Sequence, residues 1–105
     1  MPVHDLSNDD VARGLSDDTI LLIDVREPHE FQMAHIPGAL NLPLSSFDPR
    51  AIPDPDGKRV VFMCAAGMRS LQASEIAQSS GKPYNAHLAG GIKGWVMDGQ
   101  DIVRG

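Results

Sequence analysis

The sequence is short of several things at once, and each shortage removes a class of protein. One cysteine, Cys64, stands in 105 residues. With no second thiol the chain closes no internal disulfide and builds no metal site from several thiolates. His4, His29 and His87 show no H-x-x-x-H or comparable ligand spacing, so no metal is expected. Basic residues are the minority, nine Lys and Arg against fourteen Asp and Glu, for a net charge of −5. That balance argues against nucleic acid and anionic membrane surfaces as partners. No apolar run approaches the ~18 residues of a membrane-spanning helix. The opening MPVHDLSNDD is polar and acidic, unlike a secretory signal, which makes the cytoplasm the expected compartment. Repeats, low-complexity tracts and long linkers are missing too, so one domain is expected over residues 1–105.

What is present is concentrated in residues 60–81, VVFMCAAGMRSLQASEIAQSSG. The apolar run Val60, Val61, Phe62, Met63 reads as a buried strand and ends at Cys64. Ala65, Ala66, Gly67 and Met68 make a loop of mostly small residues leading to Arg69 and Ser70. A helix pattern follows, with Ala73, Ile76 and Ala77 on one face at spacings of three and four. Gly81 and Pro83 are the stop signal. The thiol therefore falls at the carboxyl end of a strand, where open parallel sheets place ligands. A glycine-containing loop lets backbone N–H groups converge on one point, and the helix N-terminus adds more. Such a cradle favours thiolate, below the ~8.5 of a free cysteine. Arg69 adds a cation able to grip an oxyanion at two points. A lone cysteine is ordinarily just a small buried hydrophobe. The coincidence of strand end, glycine loop and arginine instead marks Cys64 as a nucleophile, with residues 65–70 as its substrate-binding cradle.

Elsewhere, residues 7–10 read as an acidic helix start, with Gly14 as the stop. Residues 19–25 (TILLIDV) read as a strand buried on both faces, and Pro28 opens a short helix. Residues 35–39 are a turn, 40–42 a short strand, 43–47 a helical turn and 48–57 a surface loop rich in proline and aspartate. A further strand is predicted at 84–88. Gly90-Gly91 then turns into a helix carrying Trp95, which Asp98-Gly99 ends. Alternating strands and helices at this spacing predict an α/β sandwich around a mostly parallel sheet.

CAAGMRS resembles the active-site loop of rhodanese-type sulfurtransferases, whose single-domain members often read C-x-x-G-x-R. Three further stretches match in the family's order: LLIDVREPHEF (21–31), AHIPGALNLP (34–43) and LAGGIKGW (88–95). The resemblance covers nearly the whole chain. It implies a three-layer sandwich with a mostly parallel central sheet flanked by helices. It also implies a Cys64 persulfide, loaded from a donor such as thiosulfate and discharged to cyanide or a thiol, with no cofactor. Lacking a resolving thiol, the chain must give the sulfur to an outside acceptor.

Three alternatives stand beside this reading: a persulfide carrier or sensor serving a partner protein, a phosphatase or arsenate reductase, and a non-catalytic interaction module. Modules of the last kind commonly lack the cysteine, which this chain keeps with Arg69. In the phosphatases that resemble this fold the loop between cysteine and arginine is one residue longer. Here only the four residues Ala65 to Met68 intervene. The histidine that often precedes a phosphatase cysteine is replaced by Met63. Thiosulfate-using relatives often carry extra basic side chains in or beside the loop, whereas Ala65, Ala66 and Met68 are uncharged. A polysulfide or a protein persulfide is therefore an alternative donor.

Asp24 and Arg26 close the strand at 19–25. Asp24 is either a substrate-site carboxylate or a structural group paired with Arg26 and loop N–H groups, and an anion cradle favours the structural role. His35 is either a base for Cys64 or a hydrogen-bonded support of the HIPGA turn. The second is preferred, since a loop-stabilised thiolate needs no base. Trp95 reads as a core residue, and Gly90-Gly91 as a place where backbone approaches the site.

Overall fold

In β2 (Ile20–Asp24) and β4 (Arg59–Met63), apolar side chains point alternately to the two sides of a sheet, so both sides must be covered. This computed structural model describes residues 2–104. Its sheet adds β1 (His4–Leu6), β3 (Leu40–Asn41) and β5 (Ala86–Leu88) in the order β1-β5-β4-β2-β3, with every neighbouring pair parallel. On one face Leu22, Val61, Met63, Ala86 and Leu88 pack with Val11 of α1 (Asn8–Ser16) and with Ile92 and Trp95 of α4 (Gly91–Met97). On the other, Ile23, Val60, Phe62 and Cys64 pack with Ala73 and Ala77 of α3 (Met68–Ser79) and with Ile52. The result is the three-layer α/β sandwich, with a wholly parallel sheet. Cys64 follows β4 on the α3 side.

The elements differ from the sequence expectations where tertiary contacts override local pattern. The sequence pattern does not predict β1. Three residues carry little periodicity, and this strand exists because His4, Asp5 and Leu6 pair with Ala86, His87 and Leu88. Gly14 does not end α1. It lies inside the helix, where a Cβ would come within 2.5 Å of the Ile20 side chain, so it is a packing glycine. Ile76 does not share the buried face of α3, which consists of Ser70, Ala73, Ser74 and Ala77, and is 41% exposed. The 48–57 loop contains a single 3-10 turn, Pro49–Ala51, and buries Ile52 against the sheet. α2 (Pro28–Met33) lies beyond the carboxyl end of β2. A bridge between His35 and Val103 ties the end of the described chain to the segment before β3. Among the described residues, no helix is long and apolar enough to cross a membrane.

Candidate active site

The carboxyl ends of β2 and β4 lie side by side, with Asp24 opposite Met63 in register. From Met63 the chain turns through Cys64 to Gly67, whose left-handed φ of +103° reverses the backbone into α3. A side chain at Gly67 would come within 2.6 Å of the Ala89 carbonyl, so glycine is required both by conformation and by space. The reversal aims the Gly67 N–H at Cys64 Sγ, 3.0 Å away. The carbonyls of Cys64 and Ala65 are taken up by α4. Ile92 N–H donates to Cys64 O at 2.9 Å, and Lys93 N–H to Ala65 O at 3.1 Å. Gly91, at φ +62°, makes that approach possible, because a Cβ there would lie 2.6 Å from the Cys64 carbonyl.

Cys64 is 1% exposed, at the floor of this loop. Burial pushes its thiol up. Hydrogen bonds to the Ser70 hydroxyl and to the N–H groups of Ser70, Gly67 and Ala66 outweigh it, holding the thiol below its ordinary value. Ser70, in the first turn of α3, has its Oγ 3.6 Å from Sγ. Ala65, Ala66 and Met68 form the rim, and Met68 is 72% exposed.

Arg69 does not stand free over the cradle. Its Nη1 and Nη2 donate to Glu30 Oε1 and Oε2 of α2 at 2.6 and 3.0 Å. Arg69 holds the Glu30 carboxyl down to about 2, against partial burial and with help from the Glu27 N–H. Glu30 in turn raises Arg69 further, and the Cys64 charge adds to this. Behind them, Asp24 and Arg26 form a buried two-point ion pair with contacts of 2.7 to 3.1 Å. Arg26 also donates to the carbonyls of Ala34, at 2.7 Å, and Glu30. The Asp24–Arg26 pair thus fixes α2 to the sheet end and sets Glu30 where it meets Arg69. His35 Nδ1–H donates to Phe31 O at 2.9 Å, and its ring stacks on Phe31. Its hydrogen bonds do not reach Cys64.

Two residues at the site were missed by the sequence reading. His87 of β5, 5% exposed, places Nδ1 2.8 Å from Ser70 Oγ and Nε2 2.8 Å from Asp5 Oδ1 of β1. The signal for His87 was a histidine between two apolar residues of a strand. Asp5 left no signal, since nothing predicted β1. The described residues contain no cluster of three or more His, Cys, Asp or Glu able to hold a metal ion.

The model of the rhodanese-like domain family matches residues 7–98. The chain belongs to the rhodanese-like family. This rhodanese-like chain is 34% identical to the thiosulfate:glutathione sulfurtransferase of Saccharomyces cerevisiae, over 94% of the chain and 82% of that protein. It is 40% identical to the thiosulfate sulfurtransferase PspE of Escherichia coli, over 71% of the chain and 73% of PspE. The human single-domain sulfurtransferase TSTD1 superposes with a TM-score of 0.76 at 30% identity, covering 89% of the rhodanese-like chain and 95% of TSTD1. Against the uncharacterized Synechocystis protein slr1261, 39% identical, the chain spans about half of the relative's length, 49%.

Proposed function

We propose that the protein is a sulfurtransferase that carries sulfane sulfur on Cys64. The observation behind this reading is the Sγ of a buried Cys64, 1% exposed, under a four-residue loop whose Gly67 N–H donates to it at 3.0 Å. A loop of four residues makes a small cradle, sized for a single sulfur on the thiolate. A tetrahedral phosphoryl group, bonded directly to Sγ, asks for a wider cradle than four residues make.

The Cys64 thiolate attacks the outer sulfur of the donor, and the S–S bond to the leaving group breaks with its electron pair. With thiosulfate the leaving group is sulfite, and with a polysulfide or protein persulfide it is the shortened sulfur chain. The new terminal sulfur, negatively charged, is steadied by the loop N–H groups. A thiol acceptor or cyanide then attacks that sulfur and Cys64 leaves as thiolate. The names of the yeast and Escherichia coli relatives support thiosulfate as donor and a glutathione-type thiol as acceptor. Asp24, Arg26 and His35 serve as supports in this scheme. The same chemistry, with a protein on either side of the exchange, would make the domain a persulfide carrier.

Intact-mass measurement tests the reading. Thiosulfate or polysulfide treatment should add the mass of one sulfur atom, and cyanide or reduced glutathione should remove it. Cys64→Ser should retain the fold by circular dichroism and lose both the adduct and turnover, because the thiolate is the nucleophile. Turnover retained in Cys64→Ser would end the proposal.

A further inference from the structure

The parallel register sets Asp5 of β1 beside His87 of β5, and His87 beside Phe62 of β4, with Cys64 two residues beyond on the same face. Ser70 descends onto that row from α3. An unbroken chain of hydrogen bonds results: Cys64 Sγ to Ser70 Oγ at 3.6 Å, Ser70 Oγ to His87 Nδ1 at 2.8 Å, and His87 Nε2 to Asp5 Oδ1 at 2.8 Å. Sulfur transfer as described above needs the thiolate but assigns no group to receive the thiol's proton. Three of the four members are buried, and Asp5, 74% exposed at its side chain, opens the chain to solvent.

We infer that His87 is a positioning residue that takes the Cys64 proton through Ser70, leaving a thiolate–imidazolium pair bridged by the serine hydroxyl and anchored by Asp5. An ionised Asp5 is acceptor-only, so neutral His87 carries its hydrogen on Nε2 and presents a lone pair at Nδ1. Ser70 then donates to Nδ1 and its oxygen accepts the Cys64 S–H. In the charged state all the hydrogens shift one place. The S–H bond breaks and its electron pair stays on sulfur. Ser70 gains that proton and passes its own to Nδ1, now N–H, which donates back to Ser70 Oγ while Ser70 O–H donates to the thiolate. Every polar atom is satisfied in both states without movement of a heavy atom. The other acceptor within reach of Ser70 is the Gly67 carbonyl, at the longer distance of 3.2 Å.

The charged and titratable surroundings of His87 are few. From β1 it faces Asp5, and from β4 it meets Phe62 and, through Ser70, Cys64. The buried face of α3 above it is Ser70, Ala73, Ser74 and Ala77, all uncharged. Among the described residues the imidazolium therefore has two counter-charges, and the thiolate has the bridged imidazolium and the Arg69 charge besides the loop N–H groups. This inference rests on the sulfur-transfer reading only for the use to which the thiolate is put, and its test needs no sulfur donor.

The test follows the rate of Cys64 alkylation by iodoacetamide against pH, together with the imidazole 15N shifts of the same full chain. His87→Asn should raise the alkylation midpoint by about one unit, leaving about tenfold less thiolate at a given pH below it. Asp5→Asn, at the exposed end of the chain, should shift it in the same direction by less. Because coupling between two titrating groups is reciprocal, alkylating Cys64 in the unmutated protein should lower the His87 midpoint. Ser70→Ala should remove that response. Unmoved alkylation midpoints in folded His87→Asn and Asp5→Asn would overturn the inference, as would a His87 titration indifferent to alkylation. The last measurement needs no variant and stands even if a substitution unfolds the domain. If sulfur loading fails while these shifts appear, the proposed function is wrong and the relay remains.

Discussion

On the proposed function, Arg69 faces two demands that one guanidinium cannot meet fully at once, Glu30 and an incoming oxyanion. A sulfonate arriving at Cys64 would find both terminal nitrogens of Arg69 on Glu30. Thiosulfate must therefore share or displace that contact, whereas a polysulfide has no sulfonate to place. Glu30→Gln removes the competing charge and keeps the size, so kcat/KM with thiosulfate should rise relative to kcat/KM with polysulfide. Arg69→Lys keeps a charge but loses the planar fork, and should depress the thiosulfate value more, by ~1.5–3 kcal/mol in transition-state terms. Parallel assays with one common acceptor decide the matter. Equal changes for both donors would show that Arg69 only holds the loop against α2. In the sequence Arg69 could be seen as a cation beside a thiol, but its engagement could not. Glu30 is 39 positions away, and the contact depends on how Arg26 pins α2.

The strand–loop–helix unit was readable because its information is local. An apolar run, small loop residues and a helical period lie within about twenty consecutive positions, which is where pattern reasoning is strongest. β1 and the Asp5–His87 contact were not readable, since parallel pairing joins residues 82 positions apart and leaves no periodic trace. Ile76 failed for a related reason. Spacing alone puts it beside Ala73 and Ala77, but α3 sits close enough to the sheet that small residues, including Ser70 and Ser74, take the inner face. Close approach is also what the contact between α4 and the loop requires. Gly91→Ala would combine a left-handed backbone with a collision against the Cys64 carbonyl, a strain worth about 1–3 kcal/mol. The melting temperature should fall, and Cys64 alkylation near neutral pH should slow as the Gly67 N–H drifts from Sγ. A variant that melts normally and alkylates at the original rate would show that α4 does not shape the loop.

At the scale of the whole molecule, the edge strands are very short, three residues in β1 and two in β3. Little unpaired edge is thereby offered to another chain. Stability in acid draws on the ion pair that joins α2 to α3. Glu30 titrates at about 2 in the folded protein, against an ordinary 4.5. A depressed carboxylate stabilises fully above its unfolded value and loses that contribution as pH falls through the folded one. The melting-temperature gap between the unmutated protein and Glu30→Gln should hold from neutral pH down to about 4.5, narrow from there to about 2, and close below. A gap indifferent to pH over that interval would mean the pair contributes no linked stability. The docking of α4 onto the loop has a consequence for biosynthesis. Cys64 leaves the ribosome before Ile92 and Lys93, whose N–H groups take up the Cys64 and Ala65 carbonyls. Throughout that interval the Cys64 and Ala65 carbonyls lack their α4 partners, and the thiol is expected to stay closer to an ordinary protonated one, slower to react with oxidants and electrophiles. On the proposed function, the cradle is complete only once α4 has docked, when the surrounding fold can already decide what reaches the sulfur.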